Sequence, residues 1–138
     1  EDKEMAKESG IAMSIAVDDS SGSARTISND ITNFDFSTPR GMQVTTGLDK
    51  SAEERIQLLA DFSITINGVF NDASNLSHAV FSTVPSSSVA RTVTITISGQ
   101  SLPNETFFTD YALTRAASGE LTWSCPGLLS GGTVPTWA

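Results

Sequence analysis

One cysteine, Cys125, and one histidine, His78, are all that the 138 residues contain of the two side chains that do most metal and nucleophilic chemistry. A lone cysteine excludes an intrachain disulfide and a thiolate metal cluster. A lone histidine removes most catalytic triads and histidine-based metal sites. Positive charge is also scarce. Eight Lys and Arg stand against 16 Asp and Glu, a formal net charge of -8, whereas proteins that grip phosphate depend on clustered Lys and Arg. If this chain meets DNA, it does not hold it by its surface charge. No apolar run approaches the roughly 20 residues of a membrane span, and no basic start followed by an apolar stretch marks a leader. The expectation is a soluble, intracellular chain without a membrane partner. The phosphate-cradling, dinucleotide, zinc-protease and nucleophile-elbow motifs are missing, and no acid pair sits beside an aromatic platform. We therefore expect no enzyme, no metal and no cofactor. Asn75-Leu-Ser and Asn104-Glu-Thr match the glycan acceptor pattern only by chance.

What is present points to strands. Hydrophobic residues make up 38% and charged residues only 17%; Ser and Thr fill the gap, as on solvated strand faces. The length suits one domain with a real core. Met5-Ala-Lys-Glu-Ser reads as a natural start, with Glu1 to Glu4 a cloning remnant or processing scar. Ile11 to Val17 alternates as a first strand, closed by the acidic turn at Asp18-Asp-Ser-Ser-Gly-Ser, which lacks calcium-loop spacing. Ile31 to Phe36 reads as a half-buried strand, and Pro39 and Gly41 open an extended arm that runs toward Gly47. Ser51 with Glu54 has the form of a capping box, and Ala52, Ile56, Leu59 and Ala60 recur at helical spacing, so a flanking helix is predicted from Ala52. From Asp61 the period drops to two, with Phe62, Ile64, Ile66 and Phe70 on one face.

A second, short helix is predicted after Asn71, with Leu76, Ala79, Val80 and Val84 inward and His78 as a surface or helix-end residue. Val89 to Ser98 alternates most regularly, with Arg91 on the Val93 face. Gly99 to Asn104 then turns it back into Thr106 to Arg115, and Ala116 to Gly119 turns that into Glu120 to Cys125. Cys125 shares parity with Leu121 and Trp123, a small buried hydrophobe rather than a nucleophile. Trp137, in the Gly- and Pro-rich tail, requires that the tail dock on its own domain or on a neighbour. The resulting fold class is mainly β: two packed antiparallel sheets, a sandwich or barrel, with one flanking helix and a short second one. The domain division is 1-10 as an N-terminal arm, 11-126 as the β domain with an arm at 38-50, and 127-138 as a C-terminal tail.

The order of these parts resembles the tail tube (major tail) proteins of long-tailed bacteriophages. The segments that carry the resemblance are the Asn33-Phe-Asp-Phe-Ser-Thr-Pro-Arg arm, Val44-Thr-Thr-Gly-Leu-Asp, Asp61-Phe-Ser-Ile-Thr-Ile-Asn-Gly-Val-Phe, His78-Ala-Val-Phe, and the hairpin of Thr109-Asp-Tyr-Ala-Leu-Thr-Arg with Gly119-Glu-Leu-Thr-Trp-Ser. The resemblance implies a structural virion protein that forms hexameric rings stacked into a tube. Its other partners are then a tape measure, a terminator and a distal tail protein, with DNA passing through unbound, in a virion tail assembled in the host cytoplasm. Asp35, Asp110 and Glu120 fall on the parity opposite to core residues and are the candidate lumen-facing acids. Pro39, Arg40, Gly41, Met42 and Trp137 are the candidates for contact between subunits or rings. The alternative reading is a carbohydrate-binding β-sandwich that presents Trp123 or Trp137 to a sugar.

Overall fold

The computed structural model describes residues 9–138, so most of the expected N-terminal arm, residues 1–8, lies outside the described residues. Ten strands follow in order: β1 (Ser14–Asp18), β2 (Ala24–Thr26), β3 (Ile31–Ser37), β4 (Arg40–Val44), β5 (Arg55–Ala60), β6 (Ser63–Val69), β7 (Arg91–Ile97), β8 (Gln100–Phe108), β9 (Ala112–Arg115) and β10 (Leu121–Leu129). A short helix, α1 (Ser77–Phe81), sits between β6 and β7. Eight strands form one antiparallel sheet in the order β2-β1-β7-β8-β10-β6-β3, with β9 on the free flank of β10; β4 and β5 form a separate hairpin.

The fold is mainly β and antiparallel, as its Ser- and Thr-rich alternation predicts. Its two layers are the two halves of one sheet. Ile15, Val17, Val93 and Ile95 from the β1-β7 half share a single core with Ile64, Ile66, Trp123 and Cys125 from the β6-β10 half. At the far ends β1 and β3 border a common cleft of about 420 Å³. Each fully buried aliphatic in this core contributes roughly 1.5–3 kcal/mol relative to exposure.

Gly68 explains how the β6-β10 pair closes so tightly. A Cβ there would lie 2.2 Å from the Asp30 carbonyl oxygen and 2.6 Å from Trp123 Cζ2. Without it, the Trp123 ring lies across the glycine, and its Nε1–H donates to the Val69 carbonyl at 2.8 Å. Helix α1 plugs the core with Val80 and Phe81, and the Phe81 ring meets Phe108 and Trp123 with centroids 5.2 Å away in each case. Two buried polar residues pin this helix. Asp30 accepts from the Ser77 backbone N–H at 3.0 Å and from Asn71 Nδ2 at 2.8 Å. Arg91, 1% exposed, donates to the carbonyls of Val80 and Asp18 and to Thr83 Oγ1. Burial pulls the Arg91 pKa down from its ordinary value, and the nearby carboxylate of Asp19 opposes that pull.

Three expectations need correction. No flanking helix forms after Ala52: residues 55–60 are strand β5, paired with β4. A nine-residue helix is marginal by itself, whereas as a strand this stretch pairs with β4 from Arg55 to Ala60, with one bulge. The first strand begins at Ser14, not Ile11. The turn after β7 is tight: Ser98 and Gly99 both take positive φ, so β8 starts at Gln100 and runs on through Pro103. His78 is the helix-end residue expected, second in α1 and half buried, with its ring 4.9 Å from Phe70 and Nδ1 3.2 Å from the Tyr111 hydroxyl. The β1-β2 turn is the expected acidic hairpin. Asp19 accepts from the Ser21 hydroxyl and N–H and from the Ser23 N–H, and pairs with Arg25 at 3.1 Å; these bonds, the Ser21 hydroxyl foremost, hold its pKa well below the usual range.

Candidate assembly interface

The β4-β5 hairpin is the part of the molecule with the least to pack on. Met42 opposes Gln57 and Val44 opposes Arg55, while Ile56 opposes Gln43, so each face of the ribbon carries aliphatics. A bulge lies between Arg40 and Met42. There, Leu58 lies close over Gly41, where a Cβ would sit 3.3 Å from the Leu58 Cβ. The base is tied by Asp61 N–H to the Pro39 carbonyl and by Arg40 Nε to the Leu58 carbonyl, and the far end by Thr45 N–H to the Glu54 carbonyl. The hairpin is thus tied within itself at both ends and still bare. Leu48 is 108% exposed, Leu59 90%, and Met42, Val44 and Ile56 each 50% or more. A two-stranded ribbon is marginal in water, and an apolar projection of this kind marks a contact surface.

Two edges of the main sheet at the β6-β10 half are also open. Among the described residues, β3 pairs only with β6 and β9 only with β10. The four strands β3-β6-β10-β9 therefore form a ribbon with a free edge on each side. Its outer face follows from register: Asn33, Asp35 and Ser37 lie opposite Asn67, Thr65 and Ser63, and the last three lie opposite Ser124, Pro126 and Leu128. This face is hydroxyl- and amide-rich, and Asp35 is its one acid.

The three candidate acids are exposed but not gathered. Asp35 is level with Thr65. Glu120 precedes Leu121 in the turn closed by its own carbonyl and the Ala116 N–H, and the neighbouring Thr122 is level with Val69. The separation along the strands is about 20 Å at 3.3 Å per residue. Asp110 lies in the break between β8 and β9, where its carboxylate accepts from the Tyr111 N–H at 2.8 Å and its charge helps raise the Cys125 pKa, burial being the larger cause. Parity identifies a face but says nothing of height.

Of the arm candidates, Pro39, Arg40, Gly41 and Met42 all lie at the hairpin's base or first strand, exposed. The arm read from the sequence, 38-50, includes Val44 but missed Ile56, Leu58 and Leu59 as members of the same surface; the signal for these was the alternation of Arg55 to Leu58, masked by the capping-box pattern. Trp137 docks on its own chain, with its ring 6.3 Å from Phe36 and 46% of its surface left exposed. Trp123 is 2% exposed, so it presents nothing to a sugar. Cys125 is fully buried. No helix among the described residues is long and apolar enough to cross a membrane.

The architecture defined by these strands is a known one. The sequence matches no family model and no curated protein. Solved structures share the fold. A chain of the virion of a native gene transfer agent (GTA) particle superposes with a TM-score of 0.76, at 17% identity, over 94% of this chain and 99% of that one. A chain in the tail of an empty GTA particle, refined with C6 symmetry, superposes with a TM-score of 0.72, at 19% identity, over 96% of this chain and 98% of that one.

Proposed function

We propose that this chain is a structural tail protein whose copies close six at a time into rings, and that the rings stack into the tube of a phage-like particle. The observation that carries the reading is the likeness to a chain of a C6 tail over 96% of this chain. The surface supports it. Closing a ring by pairing the β3 edge of one copy with the β9 edge of the next removes both open edges, which would otherwise invite aggregation. The β4-β5 arm, projecting its aliphatics, then bridges neighbouring copies or rings and is ordered by that contact.

In such a ring the outer face of β3-β6-β10-β9 lines the bore. Asp35 stands on it, and Asp110 and Glu120 stand at other heights, in the β8-β9 break and the turn before β10, so they give separate rings of acid rather than one cluster. Negative walls repel the phosphate backbone, within a screening length of about 8 to 10 Å at physiological salt, and so let a genome slide without stalling contacts. Terminator, tape measure and distal tail proteins would complete the assembly at its ends and core. Electron microscopy of the purified protein tests the reading: sixfold rings or tubes with an axial channel are expected, and a strict monomer at high concentration overturns it.

A further inference from the structure

The segment after β10 is attached to the free edge of β8 at its two ends and slack between them. Ser130 N–H donates to the Glu105 carbonyl at 2.9 Å, and Ala138 exchanges both backbone bonds with Ser101, at 2.8 and 3.2 Å. Eight residue steps from Ser130 to Ala138 thus cover four steps of β8, from Glu105 to Ser101. At about 3.3 Å per residue the gap needs about 13 Å, and the segment reaches about 26 Å when extended. Gly131 still lies beside Glu105, where a Cβ would come 3.4 Å from the Glu105 Cβ, and the excess is taken up after it, where Gly132 takes φ +71° and a Cβ would meet nothing within 4 Å.

Beneath the bow lies a crevice of about 190 Å³ lined by Thr92, Pro103, Asn104, Glu105, Gly131 and Thr133 among others. Asn104 is 6% exposed, and its Nδ2 has no hydrogen-bond partner among the described residues. Pro103, which has no N–H to donate, sits on the edge that the segment crosses. Val134 is 60% exposed and Trp137 46%. An intramolecular strap that leaves a buried amide unpaired and its own apolar side chains bare is a poor fit to its groove.

We infer that residues 131–138 are an exchangeable strand and that the β8 edge from Ser101 to Glu105, with Phe36 beside it, is its receptor on a second copy of this chain. The inference rests on the self-assembly reading. In the exchanged state the segment runs straight from the Gly131-Gly132 hinge to its neighbour, and the neighbour's segment fills the vacated edge, keeping the Ala138–Ser101 pair without the bow. Exchange of an identical element reuses the pairing with Ser101, and a straight strand adds contacts along Pro103 and the crevice beside Asn104 that the bowed one lacks.

Single-cysteine chains test this. Ser101 and Ala138 exchange both backbone bonds, which puts their Cα atoms about 5.5 Å apart, within disulfide range. Buried Cys125 does not compete. Chains carrying Ser101→Cys alone and Ala138→Cys alone are mixed in equal amounts, assembled and oxidised. Exchange predicts a covalent dimer of one chain of each kind, at least tenfold more abundant than when the monomers are mixed and oxidised without assembly. Rings by microscopy, no such dimer, and closure within one chain in the double variant would overturn the exchange and leave the ring intact. Absence of any ring would overturn the self-assembly reading, and exchange with it.

Discussion

Strands β5 and β6 lie two residues apart in the chain, and both carry aliphatic side chains between polar ones, Ile56 between Arg55 and Gln57 and Ile64 and Ile66 around Thr65. Along β5 every residue but Ala60 is exposed; along β6, Ile64, Ile66 and Gly68 are buried. The difference is partnership rather than composition. Strand β6 lies between β3 and β10 beneath the opposite half of the sheet, so its inward face finds a core. Strand β5 has only β4, and a ribbon two strands wide has no inside. Apolar residues without an inside within the chain are where a second molecule is to be sought.

Matched substitutions sharpen that contrast. The largest effect is expected from Ile66→Asp, which buries an unpaired charge at a 0% exposed position; a loss of several kcal/mol should abolish folding. A soluble variant with a cooperative melt would show that the faces of β6 are wrongly assigned. Gly68→Ala comes next. The added methyl meets backbone at Asp30, so a loss of about 1–3 kcal/mol or more is expected in a denaturant titration. Ile56→Asp, on the 50% exposed arm position, should change monomer stability by no more than about 0.5 kcal/mol yet abolish tubes by microscopy. Replacing residues 40–60 by a short turn should behave likewise, and normal tubes from either variant would remove the arm from assembly.

The smallest effect concerns Tyr111, the sole tyrosine. Burial pushes its pKa up to about 12, with Cys125 and Asp30 adding to the shift. Because the folded state keeps the proton more tightly than the unfolded chain, this contribution is complete below about pH 10 and fades as pH rises toward 12. Phenolate absorbance should titrate near 12 in the folded protein. The alkaline part of the stability profile should flatten in Tyr111→Phe; an ordinary midpoint near 10 would contradict the burial that raises the Tyr111 pKa.

Much of the body was legible because its strands announce their own partners. Phe62 to Ile66, Arg91 to Ile97 and Leu121 to Cys125 alternate over a shared core, and period alone suffices to orient them. Even buried Arg91 falls on its observed face. The arm was legible only in part. Ala52 to Ala60 satisfies a helical stripe as well as a strand, and local signals cannot weigh a short helix against a hairpin whose other half lies ten residues upstream. Pro103 reads as a turn residue, yet it occupies an edge where no donor is missed. For the site, parity sent Asp35, Asp110 and Glu120 outward, while their spread along the sheet depends on register with β6 and β10, which no single segment contains.

The most direct test is a helical reconstruction of tubes grown from the purified chain. Six copies per ring are expected, with β3 and β9 edges paired between neighbours and Met42, Ile56 and Leu58 of the arm buried against another copy. A tube whose arms remain in solvent, or a map in which Asp35 faces outward rather than into the channel, would contradict it.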